Sequence, residues 1–271
     1  MDPPVALTIA GSDSGGGAGL QADLKTFAAL GVFGTCAITA VTAQNTATVA
    51  ASEAMAPGLV TLQVTTVLDD LAVRAVKTGM LATSGIVSAV SELARSGLLP
   101  NLVVDPVLVS TSGRRLLDED AIPVYLERLF PFAEVVTPNL HEARLLAGMP
   151  ITDVDQMIEA AHKIASTGPG TVVVKGGHLG GDQSPDVVLS GGVVTLLEAE
   201  RVPTSNDHGT GCTLSAAIVA YLARGETVPV AIERAKQFVT RAISGATSWE
   251  LGAGHGPLDH FGWTDSAGTK T

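Results

Sequence analysis

A glycine-bracketed segment followed by a cysteine offers the clearest chemistry in this sequence. It reads Gly209-Thr210-Gly211-Cys212 and leads directly into small apolar residues that predict a helix to about Arg224. The first N–H groups of a helix lack partners inside it, its dipole attracts negative charge, and glycine lets a ligand approach the backbone. The segment therefore predicts an anion site, with an ordinary glycine-rich turn as the alternative for so short a motif.

Further polar residues stand where predicted strands give way to loops or helices. Because the carboxyl ends of parallel strands lie along one edge of a sheet, we expect these residues to share a crevice with the glycine segment. Taken singly, each has a plainer role open to it, as a turn cap, a helix cap or a solvated strand end. They are Gln44, Asp105, Asn139, Glu142 and Lys175.

Together these groups match the needs of a phosphoryl-transfer site. Asp105 and Glu142 supply carboxylate oxygens for Mg²⁺, acting largely through water because Mg²⁺ keeps much of its hydration shell. Lys175 supplies a cation for a polyphosphate, and Asn139 and Thr210 are assigned to the same ligand. The sequence thus predicts a phosphoryl-transfer site with Mg²⁺ as a cofactor.

The elements that must position these residues alternate between strand and helix. An apolar run over 5–10 leads through a glycine-rich stretch, 11–19, into a helix over 20–30. This stretch lacks the acidic strand end of a dinucleotide-binding fingerprint and the Lys-Ser/Thr pair of a P-loop. It remains either a ligand loop at the end of a first parallel strand or a flexible connection.

The rest of the chain repeats the same alternation, which predicts an α/β fold with a mostly parallel sheet flanked by helices. No linker or internal repeat interrupts it, so we expect a single domain over 1–271 with a frayed tail after about 263. Strands are predicted over 35–42, 73–77, 102–107, 134–136 and 171–175, a β-hairpin over 186–190 and 193–199, and helices over 57–71, 84–96, 118–130, 137–147, 153–166 and 228–249.

The amino-acid composition excludes some classes of binding partner. Acidic residues number 27 against 16 basic ones, giving a net charge of −11, which argues against nucleic acid and against an anionic membrane surface. No apolar stretch reaches the ~18 residues of a membrane span, and the N-terminus lacks the features of a signal peptide. Cys36 and Cys212 do not suggest a disulfide framework. We expect a cytoplasmic enzyme with small-molecule substrates.

Six segments carry a family resemblance: 10–19, 41–46, 104–107, 137–140, 174–178 and 208–213. In this order they resemble the bacterial hydroxymethylpyrimidine and hydroxymethylpyrimidine-phosphate kinases of thiamine biosynthesis, over about residues 5 to 260. The resemblance implies a three-layer ribokinase-like fold and a homodimer. It also implies ATP-dependent phosphorylation of 4-amino-5-hydroxymethyl-2-methylpyrimidine and then of its monophosphate.

The resemblance also assigns an acceptor pocket. Gln44 would hold the aminopyrimidine through paired amide hydrogen bonds, which suits a side chain carrying both a donor and an acceptor. Gly11, Asp23, Met80 and Val107 would line the same pocket. For Asp23, in the first predicted helix, a surface carboxylate is the open alternative.

Cys212 stands where many ribokinase-like enzymes have an aspartate that acts as the base. A thiol at a helix N-terminus is expected to be more acidic than its usual pKa of about 8.5, so we expect Cys212 to be partly ionised and to accept a hydroxymethyl proton. Asp207 is a rival base. In the second step the attacking phosphate oxygen is already ionised, because its second pKa is about 6. Gly209, Thr210 and Gly211 are assigned to the transferring phosphoryl group.

Two other functions stay open, a pyridoxal kinase of the same fold and a pyrimidine-binding protein without activity. Gln44 and Cys212 argue against the first, and the set of charged residues beside the glycine segment argues against the second. His178, His208 and His255 are expected to be structural, because no paired helical spacing of metal ligands occurs. The turn over 254–257 resembles the family's C-terminal motif and has no assigned step.

Overall fold

The computed structural model describes residues 2–108 and 121–264. Strands and helices alternate through these ranges, and the described strands form one sheet. The strands are β1 (Val5–Asp13), β2 (Phe33–Gln44), β3 (Val49–Ala54), β4 (Val73–Thr78), β5 (Leu102–Val104), β6 (Val135–Val136), β7 (Thr171–Lys175), β8 (Asp186–Ser190) and β9 (Val193–Leu197). The helices are α1 (Gly19–Ala29), α2 (Pro57–Asp70), α3 (Ser84–Arg95), α4 (Ala121–Val124), α5 (Leu140–Ala147), α6 (Val154–Ala165), α7 (Thr210–Ala223) and α8 (Val228–Gly245).

The sheet has the order β3-β2-β1-β4-β5-β6-β7-β8-β9. The strands from β2 to β7 in this order are parallel, whereas β3, β8 and β9 each run antiparallel to a neighbour. The predicted mostly parallel sheet and the hairpin are therefore confirmed. The carboxyl ends of the central strands open along one edge, where ligands of α/β proteins bind.

Two apolar cores lie on opposite faces of the sheet. Successive side chains of a strand point to opposite faces, and accordingly Val103 and Val135 belong to one core while Val104 and Val136 belong to the other. The first core is covered by α1, α7 and α8, and the second by α2, α3, α5 and α6. This is the three-layer ribokinase-like architecture that the resemblance implies.

The differences from the sequence pattern include one strand that was not predicted and two elements that end earlier than predicted. The pattern does not predict β3, an alanine-rich and largely exposed edge strand whose composition has little strand propensity. The strand predicted over 102–107 ends at Val104, because Pro106 has no N–H to donate to the sheet. Helix α8 ends at Gly245, short of the predicted residue 249.

The helix predicted over 118–130 is present in its described part. Helix α4 continues as a π-helical turn, Tyr125–Leu129, and a 3₁₀ turn, Phe130–Phe132. The predicted start of this helix and the predicted frayed tail, 265–271, lie outside the described residues. Among the helices that the structure describes, none is both long and apolar enough to span a membrane.

Candidate active site

A cavity of about 870 Å³ lies at the carboxyl edge of the parallel strands. It brings together nearly all the residues that the sequence assigns to a site, from the first strand to the start of α7. Of that set, only Asp23 is absent from its wall. The predicted residues that line it are Gly11, Gln44, Met80, Asp105, Val107, Asn139, Glu142, Lys175, Gly209, Thr210, Gly211 and Cys212.

The glycine segment forms the N-terminus of α7, as predicted. Gly209 is the residue before the first turn and has φ +85°, a left-handed conformation that favours glycine. A Cβ at this position would also lie 1.9 Å from the carbonyl oxygen of Gly17, so the two glycine loops touch through their backbones. The Thr210 hydroxyl donates to the Asp207 carbonyl (2.7 Å), which fixes the turn. The helix therefore starts against the wall of the cavity.

Lys175 places a positive charge beside this helix start. A Cβ added to Gly211 would lie 3.1 Å from Nζ of Lys175, so a side chain there would crowd the ammonium group. Nζ also donates to Oδ1 of Asp105 (2.9 Å). Burial acts to lower the pKa of Lys175, but the charges of Asp105 and Glu142 and the hydrogen bond to Asp105 together outweigh burial and raise the pKa. The ammonium and the helix dipole together favour an anion here.

Asp105 is fixed by three donors. Its Oδ1 accepts from Lys175 and from the Thr137 hydroxyl (3.1 Å), and its Oδ2 accepts from the Ser215 hydroxyl of α7 (3.0 Å). Burial acts to raise the pKa of this carboxyl, but the charges of Lys175 and Lys77 hold it below its usual value. Asp105 is therefore an ionised anchor that ties β5 to α7.

Asn139 and Glu142 form a capping box at the start of α5. Oδ1 of Asn139 accepts from the Glu142 backbone N–H (2.9 Å), and Oε2 of Glu142 accepts from the Asn139 backbone N–H (2.8 Å). Burial raises the pKa of Glu142 to about 7; the Lys175 charge opposes this shift and the Asp105 charge adds to it. The helix-cap role left open by the sequence is thus present, on side chains that also line the cavity.

The carboxylates fit a Mg²⁺ ion held mainly by other ligands. Among the described residues, no group of three or more His, Cys, Asp or Glu side chains is arranged to hold a metal. Asp105 and Glu142 are nearly fully buried, and each already accepts hydrogen bonds from the protein. This suits Mg²⁺, which commonly keeps several waters and binds substrate phosphates rather than an all-protein cage.

The ionisation expected for Cys212 is wrong in this structure. Burial raises the pKa of the Cys212 thiol to about 11. The Lys77 ammonium opposes this shift, while the carboxylates of Asp23 and Asp105 add to it. Desolvation of the thiolate therefore outweighs the helix N-terminus, and at neutral pH Cys212 is a thiol. The side chain does lie on the cavity wall, as predicted.

Asp23 also differs from its prediction, because it lies beneath the cavity instead of on its surface. Both carboxylate oxygens accept from Nζ of Lys77 at 2.9 Å, and Oδ2 also accepts from the Thr8 hydroxyl (2.6 Å). The Asp23 and Lys77 side chains are both fully buried. Lys77 lines the cavity, so Asp23 contributes to the site by holding this ammonium in place.

Gln44 lies at the other end of the cavity, at the end of β2. Its side-chain amide approaches the Thr42 hydroxyl and the His208 ring, each at 3.3 Å. Nε2 of His208 lies 3.0 Å from Oδ2 of Asp13. Burial acts to raise the pKa of Asp13, but hydrogen bonds from His208 and from backbone N–H groups of the glycine-rich loop hold it below its usual value.

Comparison with known proteins identifies the family. A family model described as phosphomethylpyrimidine kinase matches residues 13–259. This chain belongs to the phosphomethylpyrimidine kinase family. The family is one of phosphotransferases, and in this chain the start of α7 and the Gln44 amide line one cavity.

Relatives of this kinase match over nearly their whole length. Hydroxymethylpyrimidine/phosphomethylpyrimidine kinase from Rhizobium meliloti is 50% identical over 259 residues, which cover 95% of this chain and 97% of the relative. A phosphomethylpyrimidine kinase structure from Clostridium difficile has a TM-score of 0.77 and 41% identity, covering 88% and 99% of the two chains. A Bacillus subtilis pyridoxal kinase in an ADP complex has a TM-score of 0.88 and 40% identity, covering 96% and 98%.

The far end of the kinase cavity holds a further ion pair that sequence reasoning missed. Oδ2 of Asp186, on β8, accepts from Nζ of Lys236 on α8 (2.8 Å), and Oδ1 accepts from the Gly176 backbone N–H (2.9 Å). Both charged side chains line the cavity. They join the β-hairpin to α8 beyond Lys175, on the side away from Gln44.

The turn over 254–257 has a structural role in this kinase. The N–H of His255 donates to the carbonyl of Thr46, in the loop that follows Gln44 (3.0 Å). The N–H of His208 donates to the carbonyl of Gly256 (3.0 Å). The turn thus joins the loop that follows Gln44 to the segment that leads into α7.

Three further residues of the cavity wall were not predicted from the sequence: Lys77, Asp13 and His208. Lys77 is the last but one residue of β4, a position that favours a strand-end role, but its burial depends on Asp23 from another element. Asp13 and His208 are 195 positions apart in sequence and meet only because the two glycine loops touch. No local pattern carries that information.

Proposed function

We propose that this protein is a cytoplasmic kinase that transfers the γ-phosphoryl group of ATP to 4-amino-5-hydroxymethyl-2-methylpyrimidine and then to its monophosphate. The observation that carries the proposal is the position of Lys175 beside Gly211, at the start of α7, in the same cavity as Gln44. A cation and a helix N-terminus favour the transferring phosphoryl group, and an amide suits the edge of an aminopyrimidine.

Each end of the cavity has its own task in this mechanism. Gln44 orients the pyrimidine, with Gly11, Met80 and Val107 on the wall around it. Lys175 and the N–H groups at the start of α7 stabilise the charge that develops on the transferring group. Asn139 and Thr210 line the same cavity and are assigned to the nucleotide. Positioning the two substrates in one cavity supplies a large part of the rate enhancement.

The first step needs a proton acceptor. The hydroxymethyl oxygen forms a bond to the γ-phosphorus, the bond from that phosphorus to the bridging oxygen of ADP breaks, and the hydroxyl proton passes to the ionised fraction of Cys212. In the second step a phosphate oxygen of the acceptor attacks and carries no proton to remove. Mg²⁺, when bound with the nucleotide near Asp105 and Glu142, supplies charge neutralisation of the phosphates.

The test is an ADP-release assay that compares hydroxymethylpyrimidine, its monophosphate and pyridoxal. We expect kcat/KM to be highest for the two pyrimidines. Absence of ADP with all three acceptors refutes the kinase proposal and leaves the binding-protein alternative. Preference for pyridoxal favours the second candidate, which the 40% identity to the Bacillus subtilis pyridoxal kinase supports.

We further propose that the kinase is a homodimer. Apolar side chains are exposed on β2 and on the neighbouring helix α2, which suits a protein contact. The exposed residues include Val41 (45%), Leu59 (47%) and Leu62 (60%). Light scattering measures the mass directly, and we expect twice the 27.5 kDa of one chain. A monomer at micromolar concentration contradicts this proposal without affecting the kinase proposal.

A further inference from the structure

The side-chain amide of Gln44 lies between two groups that are themselves hydrogen-bonded. On one side Oε1 faces the Thr42 hydroxyl at 3.3 Å, and on the other Nε2 faces Nε2 of His208 at 3.3 Å. The oxygen and the nitrogen of an amide have nearly the same size, so a half-turn of the group leaves its packing unchanged and reverses its hydrogen bonding. The neighbours therefore decide which atom faces which side.

The Thr42 hydroxyl has a single hydrogen, and the backbone takes it. Its oxygen lies 2.9 Å from the carbonyl oxygen of Ser12, which can only accept a hydrogen bond. This contact is shorter than the 3.3 Å contact of the same hydroxyl with Gln44, so the hydroxyl hydrogen points to Ser12. Toward Gln44 the Thr42 hydroxyl can therefore only accept a hydrogen bond. The Gln44 amide group must then place its N–H on that side to donate to Thr42.

His208 imposes the same orientation from the opposite side. Its Nε2 lies 3.0 Å from Oδ2 of Asp13, and a carboxylate can only accept, so Nε2 carries a hydrogen. Asp13 cannot turn away, because its carboxylate also accepts from the backbone N–H groups of Gly15 (2.8 Å) and Ala18 (2.9 Å). An N–H on His208 is repelled by the amide NH₂ of Gln44 and attracted by its oxygen.

We propose that Thr42 and His208 are specificity-determining residues that hold the Gln44 amide with its oxygen toward His208 and its nitrogen toward Thr42. This inference rests on the proposed function, in which Gln44 binds the acceptor ring. Gly17 makes the arrangement possible, since a Cβ there would lie 2.4 Å from Cδ2 of His208. The histidine expected to be merely structural thus sets the hydrogen bonding of the pocket.

A fixed amide selects one order of donor and acceptor on the ligand. The ring must donate on the His208 side and accept on the Thr42 side, as a 4-aminopyrimidine does with its amino group and the adjacent ring nitrogen. The corresponding 4-oxo compound presents a carbonyl beside a ring N–H, which is the reverse order. It cannot turn over to restore the match without moving its hydroxymethyl group away from the start of α7. The site therefore selects aminopyrimidines against pyrimidinones.

The experiment measures kcat/KM for the 4-amino acceptor and for its 4-oxo analogue. Discrimination is the ratio of the two values. In Thr42→Val and in His208→Leu we expect this ratio to fall at least about tenfold, because the freed amide can turn to accept the oxo compound. Thr42→Ser and His208→Gln keep a hydroxyl and an N–H donor, and we expect each to stay within about threefold of the wild-type ratio.

Ser14→Ala is the matched control, since the Ser14 hydroxyl contacts only the backbone of Gln44, at 2.8 Å in both directions. We expect it to leave the ratio unchanged. Where a variant has too little turnover, the same ratio is measured from dissociation constants by calorimetry. Equal losses for both ligands in Thr42→Val and His208→Leu overturn the inference and leave these residues a purely structural role. A wild-type protein that phosphorylates neither compound instead refutes the proposed function.

Discussion

The high pKa of Cys212 makes the first phosphorylation step strongly dependent on pH. If the thiolate accepts the hydroxymethyl proton, the rate of that step follows the ionised fraction of the thiol. With a pKa of about 11, that fraction is about one part in ten thousand at pH 7 and about one part in a hundred at pH 9. We therefore expect kcat for the hydroxymethyl acceptor to rise about a hundredfold over these two pH units.

The monophosphate acceptor provides an internal comparison. Its attacking oxygen is ionised throughout this range, because its second pKa is about 6. Glu142, whose pKa burial raises to about 7, titrates in the same interval. We assign it to Mg²⁺ and not to the acceptor, so we expect its titration to affect both acceptors alike. The ratio of the two rates thus isolates the base. We expect that ratio, hydroxymethyl over monophosphate, to rise about tenfold per pH unit.

The assay is single-turnover phosphorylation by rapid quench from pH 7 to 9 at saturating ATP, because product release can mask the chemical step in kcat. Cys212→Ala should abolish the slope for the hydroxymethyl acceptor and leave the monophosphate rate within a few-fold. Cys36→Ala is the matched control, since Cys36 lies on β2 away from the cavity wall and should leave the slope intact.

Two results refute this reasoning. Parallel pH profiles for the two acceptors mean that no base specific to the hydroxyl titrates here. A slope that persists in Cys212→Ala means that another group is the base, and Asp207, on the same cavity wall, is then the next residue to replace.

Three further predictions concern stability, each measured by urea unfolding. Lys77→Met should lower the free energy of unfolding by about 3–5 kcal/mol, because it leaves the buried Asp23 carboxylate without its ion-pair partner. The double variant with Asp23→Leu should recover most of this loss. A double variant as unstable as Lys77→Met contradicts the pairing. Gly209→Ala should lower the free energy of unfolding by more than the ~1–2 kcal/mol of a residue forced into the left-handed conformation, because its Cβ would also meet the Gly17 backbone. Gly58→Ala is the control and should be nearly neutral, because a Cβ there meets no atom within 4 Å. Equal effects of the two substitutions argue against the close approach at Gly209. Burial raises the pKa of Glu142 from 4.5 in the unfolded chain to about 7 in the folded protein. Between these two pH values the folded protein keeps a proton on Glu142 that the unfolded chain has lost. The contribution of Glu142 to the free energy of unfolding is therefore full below pH 4.5 and is lost as the pH rises to about 7. Glu142→Gln should therefore gain stability relative to the wild type over this interval, and a constant difference contradicts the shift.

The order of the elements and the edge that carries the site follow from the sequence. The parallel sheet brings three strand ends that are far apart in the sequence to one cavity: Gln44, Asp105 and Lys175. This outcome depends only on the alternation of strand and helix, which local patterns report well. Edge strand β3 is the exception, because it buries little surface and carries no apolar alternation.

The electrostatics of the site do not follow from the sequence. Position at a helix start favours an acidic Cys212, but the pKa depends on how much water the fold removes and on charges from other elements. The same holds for Asp23, whose apparent surface position in α1 conceals a fully buried pair with Lys77 of β4. Both are consequences of three-dimensional neighbours that no spacing rule encodes.

The turn at 254–257 has a consequence for how the enzyme is made. During synthesis the ribosome delivers β1 and its glycine loop first and this turn nearly 250 residues later. Asp13 comes from the earliest part of the chain and is joined through His208 to Gly256, close to its end. The hydrogen bond that holds His208 to Gly256 can therefore form only after residue 256 has been synthesised.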